Sequence, residues 1–230
     1  MTLSIRCVWS KKNFRKVSSF SQSACPFGAL LVSFAMPDNI SELPALIENL
    51  AVQLQSRNPR RLAVDHAGRA AVLMPILPYH EEFCFLLTQR THKVETHKGQ
   101  VSFPGGIQED SDSSLLQTAL RETWEEIGLA SEGIHILGEF DEYLSITGLI
   151  VTPFAAYIKE PLNLAPNPDE VDEILRVPFS LFQESRTLRV ETRVRSGVER
   201  KIYFYDFEGR EVWGLTAQII RDFLMLVDRK

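Results

Sequence analysis

A glycine turn that runs directly into an acidic, amphipathic helix constrains this chain more than any other stretch. The segment is Gly105 to Leu129, GGIQEDSDSSLLQTALRETWEEIGL. Asp112 or Ser113 is suited to cap the start of the helix, and Gly128 favours a left-handed end. Apolar residues recur at helical spacing. We therefore predict a helix from about Ser113 to Ile127 whose buried face comprises Leu116, Ala119, Leu120, Thr123 and Ile127.

The same helix crowds acidic side chains into one sector. Because successive residues are rotated by about 100°, Glu122, Glu125 and Glu126 lie close together. A solvated face partly neutralised by Arg121 is the plain interpretation. The glycine turn favours another, since carboxylates and backbone carbonyls together are the oxygen ligands that Mg²⁺ or Mn²⁺ prefers. Such an ion can clamp a diphosphate and lower the pKa of an attacking water.

The stretch from Gly106 to Leu129 resembles the Nudix box, commonly written G-x5-E-x7-R-E-U-x-E-E-x-G-U with U aliphatic. The matching residues are Arg121, Glu122, Glu125, Glu126, Gly128 and Leu129. Asp112 replaces the first glutamate, eight rather than seven residues separate it from Arg121, and Thr123 stands at an aliphatic position. The resemblance implies a hydrolase with a Nudix-like α/β/α sandwich.

Roles for individual residues follow from that resemblance. It implies that Glu122, Glu125 and Glu126 coordinate Mg²⁺ or Mn²⁺ or activate water, with Glu122 and Glu125 as the candidate bases. Arg121 is expected to orient a neighbouring carboxylate, and the backbone of Gly106 to add a metal ligand. Glu170 follows a proline-rich loop. It is a candidate to complete the metal site, with an ordinary exposed loop acid as the alternative.

A second signature precedes the box. The residues Leu86, Leu87, Thr88, Arg90, Gly99 and Phe103 to Gly106 resemble LLTxR-[SA]-x3-R-x3-G-x3-FPGG, which marks the coenzyme A diphosphatase branch of the family. Thr91 and Glu95 depart from it, and Trp213 to Ala217 also looks like this branch. The branch implies hydrolysis of coenzyme A to 4′-phosphopantetheine and adenosine 3′,5′-bisphosphate.

A basic segment on an otherwise acidic body agrees with a polyanionic small-molecule substrate. Its cationic residues are Arg90, His92, Lys93, His97 and Lys98. We expect Arg90, His97, Lys98 and Gln100 to bind substrate, with a solvated loop as the alternative. The rival functions are a Nudix hydrolase of another nucleoside diphosphate derivative, such as a nucleotide sugar or ADP-ribose, and a non-catalytic nucleotide-binding regulator. The intact helix glutamates argue against the regulator.

Hydrophobic periodicity predicts a mixed sheet between helical layers. Apolar runs predict strands at Ala70 to Leu77, Phe83 to Thr88, Val101 to Phe103, Ile134 to Phe140, Ile150 to Tyr157 and Lys201 to Phe207. The third of these is expected to stop at Pro104, Gly105 and Gly106. Helices are predicted after Ser41 and from about Thr216 to Val227.

Charge and composition narrow the partners. The five basic residues and no acidic one in positions 1–35 leave 20 basic and 30 acidic residues beyond them, or −10. This charge disfavours broad nucleic-acid binding. No apolar run reaches the roughly 20 residues that span a membrane. Three cysteines without metal-type spacing indicate reduced thiols and a cytoplasmic protein.

The chain divides at about Met36. We expect 36–230 to be a single Nudix hydrolase domain, and 1–35 to be a basic, serine-rich extension that is disordered or precedes the natural start. A targeting segment is the alternative for 1–35. The sequence also leaves a homodimer open.

Overall fold

An eight-stranded mixed sheet forms the centre of the molecule. The computed structural model describes residues 43–91, 99–195 and 198–228. The strands of this sheet are β1 (Arg69–Tyr79), β2 (Glu82–Arg90), β3 (Val101–Ser102), β4 (Gly105–Ile107), β5 (Ile134–Glu139), β6 (Tyr143–Leu144), β7 (Ile150–Ile158) and β8 (Val171–Pro178). Five of them run in the order β3-β2-β1-β7-β5, and β4, β6 and β8 join at β1, β7 and β2. Strands β1 and β7 are parallel, whereas the other pairings are antiparallel.

Helices cover both faces of this sheet. Helices α1 (Ala45–Ser56) and α4 (Gly214–Val227) pack on one face, and α2 (Leu115–Ile127) packs on the other. Each face of the sheet packs a hydrophobic core against its helices, the first core under α1 and α4 and the second under α2. Strand β1 is apolar on both sides, because Met74 belongs to the first core and its neighbour Leu73 to the second. The predicted α/β/α sandwich with a mixed sheet is therefore confirmed.

A smaller antiparallel sheet follows the central one. A short helix, α3 (Phe179–Gln183), leads into β9 (Leu188–Arg195), β10 (Val198–Phe207) and β11 (Arg210–Trp213). The order is β11-β10-β9, and Tyr205 and Val212 extend the first core into this sheet.

Each predicted strand overlaps an observed one, and β3 ends at Ser102, before Pro104, as expected. The glycines that follow were not predicted to form a strand, but Gly105 and Gly106 begin β4 and pair with Val72 and Ala71 of β1. A Cβ at Gly105 would lie 2.3 Å from the carbonyl oxygen of Ala71, so only glycine allows this approach. Strands β6, β8, β9 and β11 and helix α3 were not predicted.

The predictions for the N-terminal region fall mostly outside the described residues, which begin at 43. The predicted first helix is present as α1, although Ser41 and Glu42 lie outside the described part. Within the described ranges, no helix is both long enough and apolar enough to cross a bilayer.

Candidate active site

Helix α2 carries the candidate catalytic acids and is fixed at both ends. Its N-cap is Ser114, whose side chain accepts a hydrogen bond from the Gln117 backbone N–H at 3.1 Å. The predicted caps Asp112 and Ser113 are therefore wrong by one or two residues. At the other end Gly128 adopts a left-handed φ of 65°, as predicted. The predicted apolar face is buried at Leu116, Ala119, Leu120, Thr123 and Ile127.

Asp112 holds Arg121 in place instead of capping the helix. The Arg121 guanidinium donates from Nε to Oδ1 and from Nη2 to Oδ2 of Asp112, both at 2.9 Å. The Thr118 hydroxyl and the Glu109 backbone N–H also donate to Oδ2. Burial opposes ionisation of Asp112, but these donors outweigh it and lower its pKa. Asp112 is thus ionised at neutral pH and anchors the arginine through two hydrogen bonds.

Arg121, held by Asp112, also hydrogen-bonds two glutamates of the helix. Its Nη1 donates to Oε1 of Glu122 at 3.1 Å and to Oε2 of Glu125 at 3.0 Å. The Glu122 side chain is 16% exposed and that of Glu125 is 52% exposed. Arg121 thus contacts two of the carboxylates that it is expected to orient.

Glu122 has an electrostatically strained position. Burial raises its pKa from 4.5 to about 7, Arg121 opposes this rise, and Glu125 and Glu170 add to it. Burial also raises the pKa of Glu125, again against the pull of Arg121. One arginine nitrogen that donates to two carboxylates does not offset their burial and mutual repulsion.

Gly106 brings the β4 backbone against the Glu122 carboxylate. A Cβ added at Gly106 would lie 2.3 Å from both the Cδ and the Oε1 of Glu122. Because β4 pairs with β1, its backbone is held rigidly at this position. The glycine therefore lets a backbone strand and a carboxylate share the same small space.

Two further acids adjoin this group. Glu126 is only 2% exposed, and its backbone carbonyl accepts a hydrogen bond from the Asn167 N–H at 3.0 Å. Asn167 belongs to the loop before β8, and its carbonyl accepts from the Glu170 N–H at 2.9 Å. Burial, followed by repulsion from Glu125, raises the pKa of Glu170, whereas Arg90 lowers it. The loop is thus docked on the end of α2 with Glu170 beside the helix acids.

Arg90 and Gln100 form the neck of the basic segment. The Arg90 N–H donates to the Gln100 carbonyl at 3.0 Å, and the Gly99 N–H donates to the Arg90 carbonyl at 3.1 Å. The end of β2 and the start of β3 are therefore held together where the chain leaves and rejoins the sheet. His97 and Lys98 lie outside the described residues.

Comparison with known proteins identifies the family. The model of the NUDIX domain matches residues 67–193. Two curated relatives, both named uncharacterized Nudix hydrolase NudL, come from Photorhabdus laumondii and Pectobacterium atrosepticum. The first is 36% identical over 73% of this chain and 89% of its own length. The second is 34% identical over 84% of this chain and 100% of its own length. The chain belongs to the Nudix hydrolase family.

A solved Nudix hydrolase, RenU from M. smegmatis, is also similar. It is 27% identical with a TM-score of 0.42, covering 49% of this chain and 71% of its own. The assignment to the Nudix family rests on the sequence comparisons, and with it the chain is a hydrolase of nucleoside diphosphate derivatives.

Nudix hydrolases generally use a divalent cation, and the donor chemistry of this site fits one. Glu122, Glu125 and Glu170 all have raised pKa values, first because of burial, so a bound cation would stabilise their ionised forms. Carboxylates beside a closely packed glycine backbone are hard oxygen donors. Within residues 43–91, 99–195 and 198–228, however, no three acidic, histidine or cysteine side chains already have metal-ligand spacing. Arg121 instead holds the carboxylates of Glu122 and Glu125.

The Asp112–Thr118–Arg121 network is the feature that sequence analysis missed. The signal was present, since Asp112 and Arg121 occupy charged positions of the Nudix box. Asp112 is shorter than the usual glutamate, and the chain between the two is one residue longer. The observed two-point contact shows that these departures keep the acid next to the arginine.

Proposed function

We propose that this Nudix hydrolase cleaves the diphosphate of coenzyme A or its derivatives to 4′-phosphopantetheine and adenosine 3′,5′-bisphosphate. The observation that carries the proposal is the position of Arg90, the arginine of the upstream signature. It is close enough to lower the pKa of Glu170, which in turn raises that of Glu122. The signature that implies coenzyme A therefore adjoins the carboxylate group that implies diphosphate cleavage.

The neck geometry supports a phosphate-binding role for the basic segment. Both ends of the 91–98 segment are joined by backbone hydrogen bonds at Arg90, Gly99 and Gln100. The Gln89 amide also donates to the Gly99 carbonyl at 3.4 Å. Substrate contacts by Arg90, His97, Lys98 and Gln100 remain part of the proposal. Charge-assisted contacts suit a ligand that carries a diphosphate and a third phosphate.

The proposed ligands of a Mg²⁺ or Mn²⁺ ion are the carboxylates of Glu122, Glu125, Glu126 and Glu170 and the backbone carbonyl of Gly106. When bound, the ion supplies charge neutralisation at the diphosphate oxygens and acidifies a coordinated water. Arg121, anchored on Asp112, orients the carboxylates of Glu122 and Glu125. One of these two accepts the proton that the attacking water loses.

The bond changes are simple. Water adds to one phosphorus, one P–O bond of the anhydride breaks, and each product leaves as a phosphate monoester. The buried Arg90 is proposed to hold substrate phosphate beside Glu170, so that the anhydride lies next to the helix acids. A cytoplasmic location agrees with this substrate and belongs to the proposal.

A product assay tests the function. The full chain, with Mg²⁺ or Mn²⁺, is incubated separately with coenzyme A, ADP-ribose and UDP-glucose, and products are identified by mass spectrometry. We expect the highest kcat/KM with coenzyme A, and products of the masses given by cleavage at its anhydride. Higher kcat/KM with ADP-ribose or UDP-glucose would show instead that the protein is a Nudix hydrolase of another nucleoside diphosphate derivative. Nucleotide binding without turnover would indicate a regulator.

A further inference from the structure

Strand β9 lies at the edge of the smaller sheet and exposes apolar side chains. It is the terminal strand of the three-stranded sheet and pairs with β10 on one side. The side chains of Val190 and Val194 are 46% and 67% exposed, and Thr192 between them is also exposed. Because strand residues alternate, these three share one face. An edge strand with exposed valines is a template for pairing with another strand.

The opposite face of β9 carries alternating charges. Arg189, Glu191 and Arg193 follow one another at every second position. Arg193 donates to Glu191 at 2.8 Å, and Arg189 also pairs with Glu191. The edge therefore presents valines on one face and a basic-acidic-basic series on the other.

We propose that β9 pairs in antiparallel fashion with β9 of a second copy, about a two-fold axis through Thr192. In this register Val190 lies opposite the partner's Val194, and Glu191 lies opposite the partner's Arg193. Symmetry repeats both pairs. Apolar residues then meet apolar residues on one face, and opposite charges meet on the other. The two three-stranded sheets join into one six-stranded sheet.

Neighbouring registers fit less well. An axis through Glu191 places that carboxylate opposite Glu191 of the second copy, so like charges meet at the centre of the interface. An axis through Val190 leaves Val194 beyond the end of the partner strand. The Thr192 register alone matches both valines and the central charges.

The end of the proposed interface is also compatible with this register. It places Arg189 opposite position 195, which is another arginine. The Arg189 guanidinium already pairs with Glu211 at 2.7 Å and lies 4.0 Å from the centroid of the Phe204 ring. These contacts offset its charge within its own copy, so the central pairs determine the register.

Disulfide crosslinking tests the position of the axis. Thr192→Cys places two thiols opposite each other at the two-fold axis, and we expect oxidation to give a covalent dimer. Val190→Cys is the matched control, because position 190 lies opposite the partner's Val194, so that the two introduced cysteines do not face each other. The unsubstituted chain, with its three cysteines, gives the background. Equal crosslinking of both variants, or none above background, would overturn the register.

Charge exchange tests the pairing without any covalent bond. Sedimentation or light scattering of the full chain over a concentration series should show a dimer. Glu191→Arg and Arg193→Glu should each be monomeric over the same range while retaining their circular dichroism and melting temperature. An equal mixture of these two variants should dimerise, since each then meets an opposite charge. A monomeric unsubstituted chain, unaffected single variants, or a mixture that stays monomeric would each refute the proposal.

Discussion

Glu142 and Glu122 are both acids withdrawn from solvent, but their surroundings differ. The Glu142 carboxylate accepts from the Leu62 N–H at 2.6 Å and from Arg69 Nη1 at 2.7 Å. Burial raises its pKa, but these donors outweigh burial and lower it. Glu122 shares a single Arg121 nitrogen with Glu125, and its pKa rises to about 7.

This difference separates a structural anion from a carboxylate that is proposed to bind a metal ion. Glu142 has enough donors within its own chain, so its charge stabilises the fold and holds the segment before β1. Asp112 belongs with it, since its pKa is also lowered by surrounding donors. Glu122 lacks such compensation, which is the usual condition of acids that bind cations or protons. Burial alone does not distinguish the two classes, whereas the number of donors does.

The largest effect on activity is expected for the acids that are proposed to bind the metal ion. Glu126→Gln should lower kcat/KM by at least about a hundredfold, because the proposed metal site loses one carboxylate. The melting temperature should change little, since the variant removes one of several crowded like charges. Excess Mg²⁺ or Mn²⁺ should restore part of the rate. Glu132→Gln, at an exposed position beyond the helix, is the matched control. Normal turnover at limiting Mg²⁺ would remove Glu126 from the site.

The opposite result is expected for the structural acid Glu142, where a substitution should change stability and not turnover. Glu142→Gln should lower the free energy of unfolding at pH 7 by about 2 kcal/mol, because charge-assisted hydrogen bonds are lost. Turnover per folded molecule should stay unchanged. The lowered pKa of Glu142 stabilises the fold above its ordinary value of 4.5 and loses this effect as pH falls through the folded value. Denaturant titrations at several pH values should therefore converge for variant and parent in acid. A constant difference would contradict the assignment.

Substrate binding at the neck should show a smaller effect. Arg90→Ala should raise KM for coenzyme A at least about tenfold, through loss of a charge-assisted phosphate contact. If Arg90 reads the third phosphate, cleavage of dephospho-coenzyme A should suffer less. Arg176→Ala serves as the control, because Arg176 pairs with Glu160 at 2.7 Å instead. Wild-type steady-state kinetics in Arg90→Ala would make the neck purely structural.

The smallest effect concerns the pH dependence of stability without divalent cations. A raised pKa means that ionised Glu122 destabilises the folded chain, an effect absent below 4.5 and complete above about 7. Glu122→Gln should therefore equal the parent in stability near pH 4 and exceed it at pH 8 by on the order of 1 kcal/mol. Thermal melts in a chelator test this. A parent that is the more stable protein at pH 8 would show that Glu122 belongs with Glu142.

Local sequence predicted helix α2 well, because its signals lie within one short segment. The apolar face and the Gly128 end are both read from neighbouring residues. The crowding of Glu122, Glu125 and Glu126 follows from helical geometry alone. The start of the helix was misplaced, since Asp112 has a suitable cap side chain but is held by Arg121.

Contacts between distant segments were less accessible. Strand β8 has a mixed pattern of apolar and charged residues, and its pairing with β2 decides where Glu170 lies. The partners of Glu142 are also remote in sequence, at Leu62 and Arg69. Periodicity carries no information about such pairs. In the smaller sheet β10 was predicted, but its partners β9 and β11 were missed, and much of β9 is exposed on both faces.

The contact between Gly106 and Glu122 has a consequence for reading natural variation in this family. The backbone of Gly106 is not left-handed, so any residue could adopt it. Space alone favours glycine, because a methyl group would overlap the carboxylate end of the Glu122 side chain. An alanine there would leave the fold intact while displacing the carboxylate. Under the role proposed for Glu122, one substitution outside the acids would thus remove catalysis and keep every glutamate by which a hydrolase is recognised.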